Sequence, residues 1–296
     1  MLQGFGEMDV VAKIAVLNPV IQIVLVVPLA LALPTAAPVA VVPALSFSVV
    51  AVVTDIAGRR KAAHSLGARL PFLVARLPRG FTASRLIGQS LSFLVISLGL
   101  VVAFQLQRVI LAHFSGEAEM ARYALVAQYL VPVLSIIGVV AQALWPRYRA
   151  QMGRIRGRDL LAHFSLFSLL GIVGAAVMVA ALLVVSHLLL ENVVALSPAL
   201  LIAAAVYVIA FAAHQPSAMV LNDANGLRAQ AFIVSIMAIV SLSCTLVFAD
   251  SFGAAGAFFS LATAVVVFQL GPTLLLAARH IRLSRKYALI FSERVN

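Results

Sequence analysis

Charge is what this sequence has least of. Only 10% of its 296 residues are charged, where a soluble domain uses about a quarter to cover its surface. Carboxylates are the scarcer sign, 10 against 21 lysines and arginines, so no cluster is available for sugar-nucleotide or metal binding. A single cysteine, Cys244, lies inside an apolar run, which excludes an intramolecular disulfide and argues against redox chemistry. There is no phosphate-cradling glycine loop, no HExxH and no paired Cys/His ligand set. Neither a metal, a cofactor nor an enzymatic activity is expected. The first twelve residues carry Glu7 and Asp9 and no basic residue, unlike the cationic start of a secretory signal.

Apolar residues take the place of charge. They make up 63% of the chain, and the mean hydropathy is +1.10. A bilayer core of about 30 Å needs about 20 mostly apolar residues per helix. Eight runs qualify: Ile14–Leu33, Ala37–Val53, Ile87–Leu111, Ala121–Leu144, Ser165–Leu188, Pro198–Val220, Ala229–Phe248 and Gly253–Ala277. The expected fold class is an all-α integral membrane protein of about eight transmembrane helices. The stretch Leu160–Leu190 exceeds one upright span, so its start lies along the interface or the helix tilts.

The formal charge of +11 could suit nucleic acid, but its distribution argues for topology instead, and no nucleic-acid partner is expected. Every basic residue except Arg108 and Arg122 falls at one end of the runs, in the chain start, alternate loops or the tail. The opposite connections hold Glu117, Glu119, Glu191 and Asp250. Basic loops stay in the cytoplasm, which places both termini there and the protein in the cell membrane. The longest loop, Gly58–Arg85, sets Leu66, Leu70, Leu73, Val74 and Leu77 among arginines. It reads as an amphipathic helix at the inner headgroups or as a platform for an enzyme partner. Trp145-Pro146 with Tyr148 marks an interface and a helix stop.

Polar residues within the runs are the candidates for function. On an ideal helix Ser90, Ser97 and Arg108 fall within about 40° of one another, with Gln105 about 60° from Arg108. Gln128, Ser135 and Gln142 recur every seven residues beside Pro132. Such stripes face protein or a water-filled cavity, because lipid satisfies no polar group. Interhelical hydrogen bonding, about 0.6 kcal/mol per pair, accounts for the glutamines and serines equally well. Arg108 calls for more, since a cation at the bilayer centre costs at least about 2.5–3.5 kcal/mol, though near a span end it can snorkel. Arg122 has Glu119 three residues before it and reads as a surface pair. Tyr207 and His214, followed by Gln215-Pro216, fit a broken helix lining a passage or a packed kink. His113, His163 and His187 lie near run ends and read as interfacial side chains.

One segment carries a family resemblance. Gln107-Arg108, a run of aliphatics, His113-Phe114-Ser115-Gly116 and then Ala121-Arg122-Tyr123 is similar to a pattern of the polysaccharide flippases. These belong to the multidrug/oligosaccharidyl-lipid/polysaccharide exporter superfamily. Leu144-Trp145-Pro146 before a basic loop, Asn225-Gly226-Leu227-Arg228, and Gly253 with Gly256-Ala257 resemble later family motifs. The resemblance covers most of residues 86–280. It departs at Gln107, where the family has an acidic residue, which weakens any cation-coupling role there.

The resemblance implies the later part of a two-lobed, twelve-helix exporter, lacking its first four helices. On this reading residues 1–57 are a two-helix remnant of the first lobe and 58–85 a basic cytoplasmic loop. Residues 86–280 form a six-helix second lobe, and 281–296 a cytoplasmic tail. A missing N-terminal lobe or a second copy would complete the pair. The implied activity is flipping of a lipid-linked oligosaccharide or polysaccharide precursor by alternating access. Expected partners are the lipid-linked glycan, membrane lipids and glycan-synthesis enzymes. Arg108 would meet the diphosphate, because arginine grips phosphate oxygens in a bidentate fork. The expected substrate-binding set is Arg108, Gln105, Gln128, Ser97, Ser135 and His214. A multidrug or small-molecule exporter of the same architecture is the nearest alternative, and an apolar or acidic cavity would favour it. A membrane scaffold acting through residues 58–85 is an alternative of another class.

Overall fold

A computed structural model describes residues 83–189 and 194–293, together with helical, exposed positions at Val49, Val52, Val53 and Ile56. The chain divides into two units, Met1–Gly80 and Phe81–Asn296. The first two apolar runs lie outside the described residues apart from Val49, Val52 and Val53, and so does most of the Gly58–Arg85 loop.

The second unit is helical throughout its described elements. They are α1 (Ala83–Phe114), α2 (Glu117–Gln142), α3 (Leu144–Ala150), α4 (Gly157–Val184), α5 (Pro198–Val220), α6 (Ala224–Ala264) and α7 (Gly271–Glu293). Wider π-helical turns extend α4 over Val185–Leu189 and join α6 to α7 over Val265–Leu270. Among the described residues five stretches are long and apolar enough to cross a membrane: Ser90–Phe114, Glu117–Ala150, Gly157–His187, Pro198–Val220 and Ala224–Ala288.

The last of these, 65 residues, is a hairpin rather than one rod. His280 Nε2 lies 3.7 Å from Asp223 Oδ2, although a straight helix would hold residues 57 apart at ~85 Å. The reversal is at Gly253, whose φ of 52° and ψ of −136° no ordinary side chain readily adopts. The unit therefore holds six apolar arms. Their external faces are studded with exposed aliphatics, among them Leu98, Val101 and Val109 on α1 and Ile172, Val173 and Val177 on α4.

Local chemistry sets the ends. Asp159 accepts the Arg156 N–H at 2.8 Å ahead of α4. Ser197 accepts from Leu200 N at 3.2 Å, with Pro198 opening α5. Asp223 accepts from Gly226 N at 2.7 Å ahead of α6, supplying one of the donors a helix start leaves unpaired. The α5–α6 turn is tight: a Cβ at Gly226 would overlap the Leu221 carbonyl. Gln230 Nε2 closes it by donating to the Ala218 and Leu221 carbonyls at 3.3 and 3.1 Å. One expectation needs correction. Pro146 does not stop a helix; α2 breaks at Ala143, and Pro146 sits in the first turn of α3, where a missing N–H costs little.

The two ends of the arms differ in charge. At one end Glu119 Oε2 accepts the Ala254 N–H at 2.8 Å and pairs with Arg122. Ser115 Oγ donates to the Ala249 carbonyl there at 2.6 Å. The other end holds Asp223, His280 and the contact from Arg149 Nη2 to the Asn222 carbonyl at 3.0 Å. These are the acidic end and the basic end.

Candidate functional site

Gln107 and Arg108 stand 100° apart on α1, and their environments diverge accordingly. Gln107 is fully buried and its Nε2 donates to Ser241 Oγ at 3.0 Å, tying α1 to the first arm of α6. Arg108 is half-buried, six residues from the acidic end of α1. Its Nε is buried without a hydrogen-bond partner, and it makes no ion pair among the described residues.

An aromatic cluster backs this position. Phe104, one turn before Arg108, packs edge-on against Tyr207 at 5.6 Å between ring centroids. Tyr123 stacks on Phe258 at 4.7 Å, and its hydroxyl donates to the Phe104 carbonyl at 3.2 Å. The cluster ties the turn of α1 before Arg108 to α2 and α5.

The other expected residues fall on two outer faces and one interior position. Ser90, Ser97 and Gln105 are exposed along α1. Gln128, Ser135 and Gln142 are exposed along α2, about 100–140° round that helix from its buried stripe of Tyr123, Leu130 and Ala141. Pro132 has no N–H to offer the Gln128 carbonyl one turn before it. Ser135 Oγ is satisfied within its own helix by the Val131 carbonyl at 2.9 Å.

His214 is separate from both faces. It is 5% exposed inside the helix core, and neither ring nitrogen has a hydrogen-bond partner among the described residues. Below it Ser217 Oγ meets Thr273 Oγ1 at 3.2 Å. The structure does not bring the six expected residues into one pocket.

A cavity of about 440 Å³ opens at the acidic end, lined by Phe114, Ser115, Glu119, Ser197, Asp250 and Gly253. Glu119 is already engaged by Arg122 and Ala254, which leaves Asp250 as its exposed carboxylate. Sequence reasoning missed this cavity and the Gln107–Ser241 contact, because both join residues more than 50 positions apart. The Glu119–Arg122 spacing signalled an ion pair but not the helix start that Glu119 caps. No group of three or more potential metal ligands occurs among the described residues.

Comparison with protein-family models, curated proteins and solved structures finds no match to this chain.

Proposed function

We propose that this chain is a membrane translocator of lipid-linked oligosaccharide or polysaccharide precursors, working by alternating access in the cell membrane. The observation that carries the reading is Arg108, a cation within an apolar helix that makes no ion pair among the described residues. A cation so placed marks a path for an anion more often than a structural contact. A diphosphate is the anion whose oxygens match its planar fork. Gln105, Gln128 and Ser97 would then meet sugar hydroxyls, for which amides and hydroxyls act as both donors and acceptors. The family resemblance of residues 86–280 points the same way.

The acidic cavity beside Asp250 favours a second reading, export of a small cationic molecule through the same architecture. One experiment separates the two. The purified chain is reconstituted into liposomes carrying a fluorescent undecaprenyl-diphosphate-linked oligosaccharide on one leaflet, and protein-dependent transfer to the other leaflet is followed with an impermeant quencher. Transfer supports the glycan reading. Its absence, with protein-dependent release of a cationic dye from loaded liposomes, supports the second.

A further inference from the structure

At the basic end α7 continues past the level where His280 meets Asp223. At 1.5 Å per residue, positions 282–287 lie about 3–10 Å beyond His280. With the hydrocarbon edge set at the His280–Asp223 level, that depth is the headgroup layer, about 5–8 Å on each side of the core. The outward face of the helix changes chemistry at this level. Leu275, Arg279, Arg282 and Lys286 fall within about 60° of one another. Leu275 is 73% exposed in the apolar arm, where acyl chains would run. The three cations below it are exposed as well, and Leu283 and Tyr287 stand beside them at 45% and 60% exposure.

The opposite face of the helix is held. Ile281 is buried, and the turn before α4 packs against Ser284 and Ala288 through Gly153. This glycine has a φ of +89°, and a Cβ on it would sit 3.2 Å from Ala288 Cβ. The contact holds the turn that carries exposed Arg154 at the same end of the unit as the α7 cations. Arg158 has Asp159 as a neighbour at 3.8 Å; the other arginines and Lys286 make no ion pair among the described residues.

We propose that this surface binds phosphate-bearing anionic lipids, with an acyl chain along Leu275 and the phosphate between Arg279, Arg282 and Lys286. A solvated charged face has no use for Leu283 and Tyr287 among its cations. A headgroup layer accommodates both, since apolar side chains reach toward the tails while basic ones stay with phosphate. Charge and depth thus select a lipid headgroup over an acidic protein.

The test uses the full chain in phosphatidylcholine bilayers containing traces of spin-labelled phosphatidylglycerol or spin-labelled phosphatidylcholine. The fraction of each lipid immobilised by protein is read by electron paramagnetic resonance. The wild type should immobilise phosphatidylglycerol several-fold more than phosphatidylcholine. Raising the salt concentration should reduce that preference, and the triple variant Arg279→Gln/Arg282→Gln/Lys286→Gln should abolish it. The salt series on the wild type decides the matter if the triple variant fails to insert. Equal immobilisation of the two lipids by the wild type overturns the proposal and leaves the surface to an acidic protein.

Discussion

Arg108 and Gln107 show how one residue of register separates a structural polar group from a candidate functional one. Gln107 turns inward and finds Ser241, a contact of the kind worth about 0.6 kcal/mol between membrane helices. Arg108 stays half-buried, and no carboxylate meets it among the described residues. A hydrogen bond to a charged group contributes about 1.5–3 kcal/mol, so Arg108→Gln should slow glycan-lipid transfer by roughly ten- to a hundred-fold. Arg108→Lys keeps the charge without the fork and should recover part of the rate. Gln107→Leu should leave transfer unchanged and shift stability only slightly. The liposome transfer rate, normalised to inserted protein, checks all three. A snorkelling arginine predicts normal transfer in both Arg108 variants, and that result would remove Arg108 from the path.

The hairpin of α6 depends on one glycine and the carboxylate that closes over it. A side chain at position 253 would take a positive φ, a strain of about 1–3 kcal/mol, and its Cβ would meet the Glu119 carboxylate. Gly253→Ala should therefore lower the midpoint of thermal unfolding in detergent. In a Glu119→Ala background the same change should cost less, because the collision is gone, so a double-mutant cycle should return a coupling of about 0.5–3 kcal/mol. Additive effects would show that Glu119 does not close the turn. The elements themselves were unevenly legible in the sequence. Pro198–Val220 is bounded as expected, since Ser197-Pro198 is a local start signal that needs no tertiary help. The apolar run Ser165–Leu188 begins eight residues after α4 does, because hydropathy bounds a run and not a helix; the longer stretch Leu160–Leu190 is the better guide to the helix. The π-helical turns left no trace in hydropathy, which does not distinguish a wide turn from a tight one. The periodic stripes of α1 and α2 were legible from spacing alone. That both lie largely on exposed faces of the unit was not, because burial is set by helices far away in the chain.

Among the described residues of the unit most of the positive charge is gathered at one end. Arg147, Arg149, Arg154, Arg156, Arg158, Arg228, Arg279, Arg282, Arg285 and Lys286 lie toward the basic end, while Glu117, Glu119 and Asp250 lie at the other. The contacts from Glu119 to Ala254 and from Asp223 to His280 place these groups at opposite ends of the same arms, so the sorting is spatial as well as sequential. Positively charged segments resist transfer across the membrane during insertion, and the basic end should therefore face the cytoplasm. The test starts from Cys244→Ser to remove the native thiol. Arg154→Cys, Arg285→Cys and Glu117→Cys are then made one at a time; each replaces a side chain that is exposed in the folded unit. In intact cells an impermeant maleimide should label the Glu117→Cys variant alone. After permeabilisation it should label the other two as well, which shows that their earlier silence came from the membrane and not from burial. Labelling of the Arg154→Cys variant in intact cells, with the Glu117→Cys variant protected, would invert the orientation. The lipid surface of α7 would then face the outer leaflet, and Arg108 would lie nearer the cytoplasmic side, where it would meet a substrate on loading instead of on release.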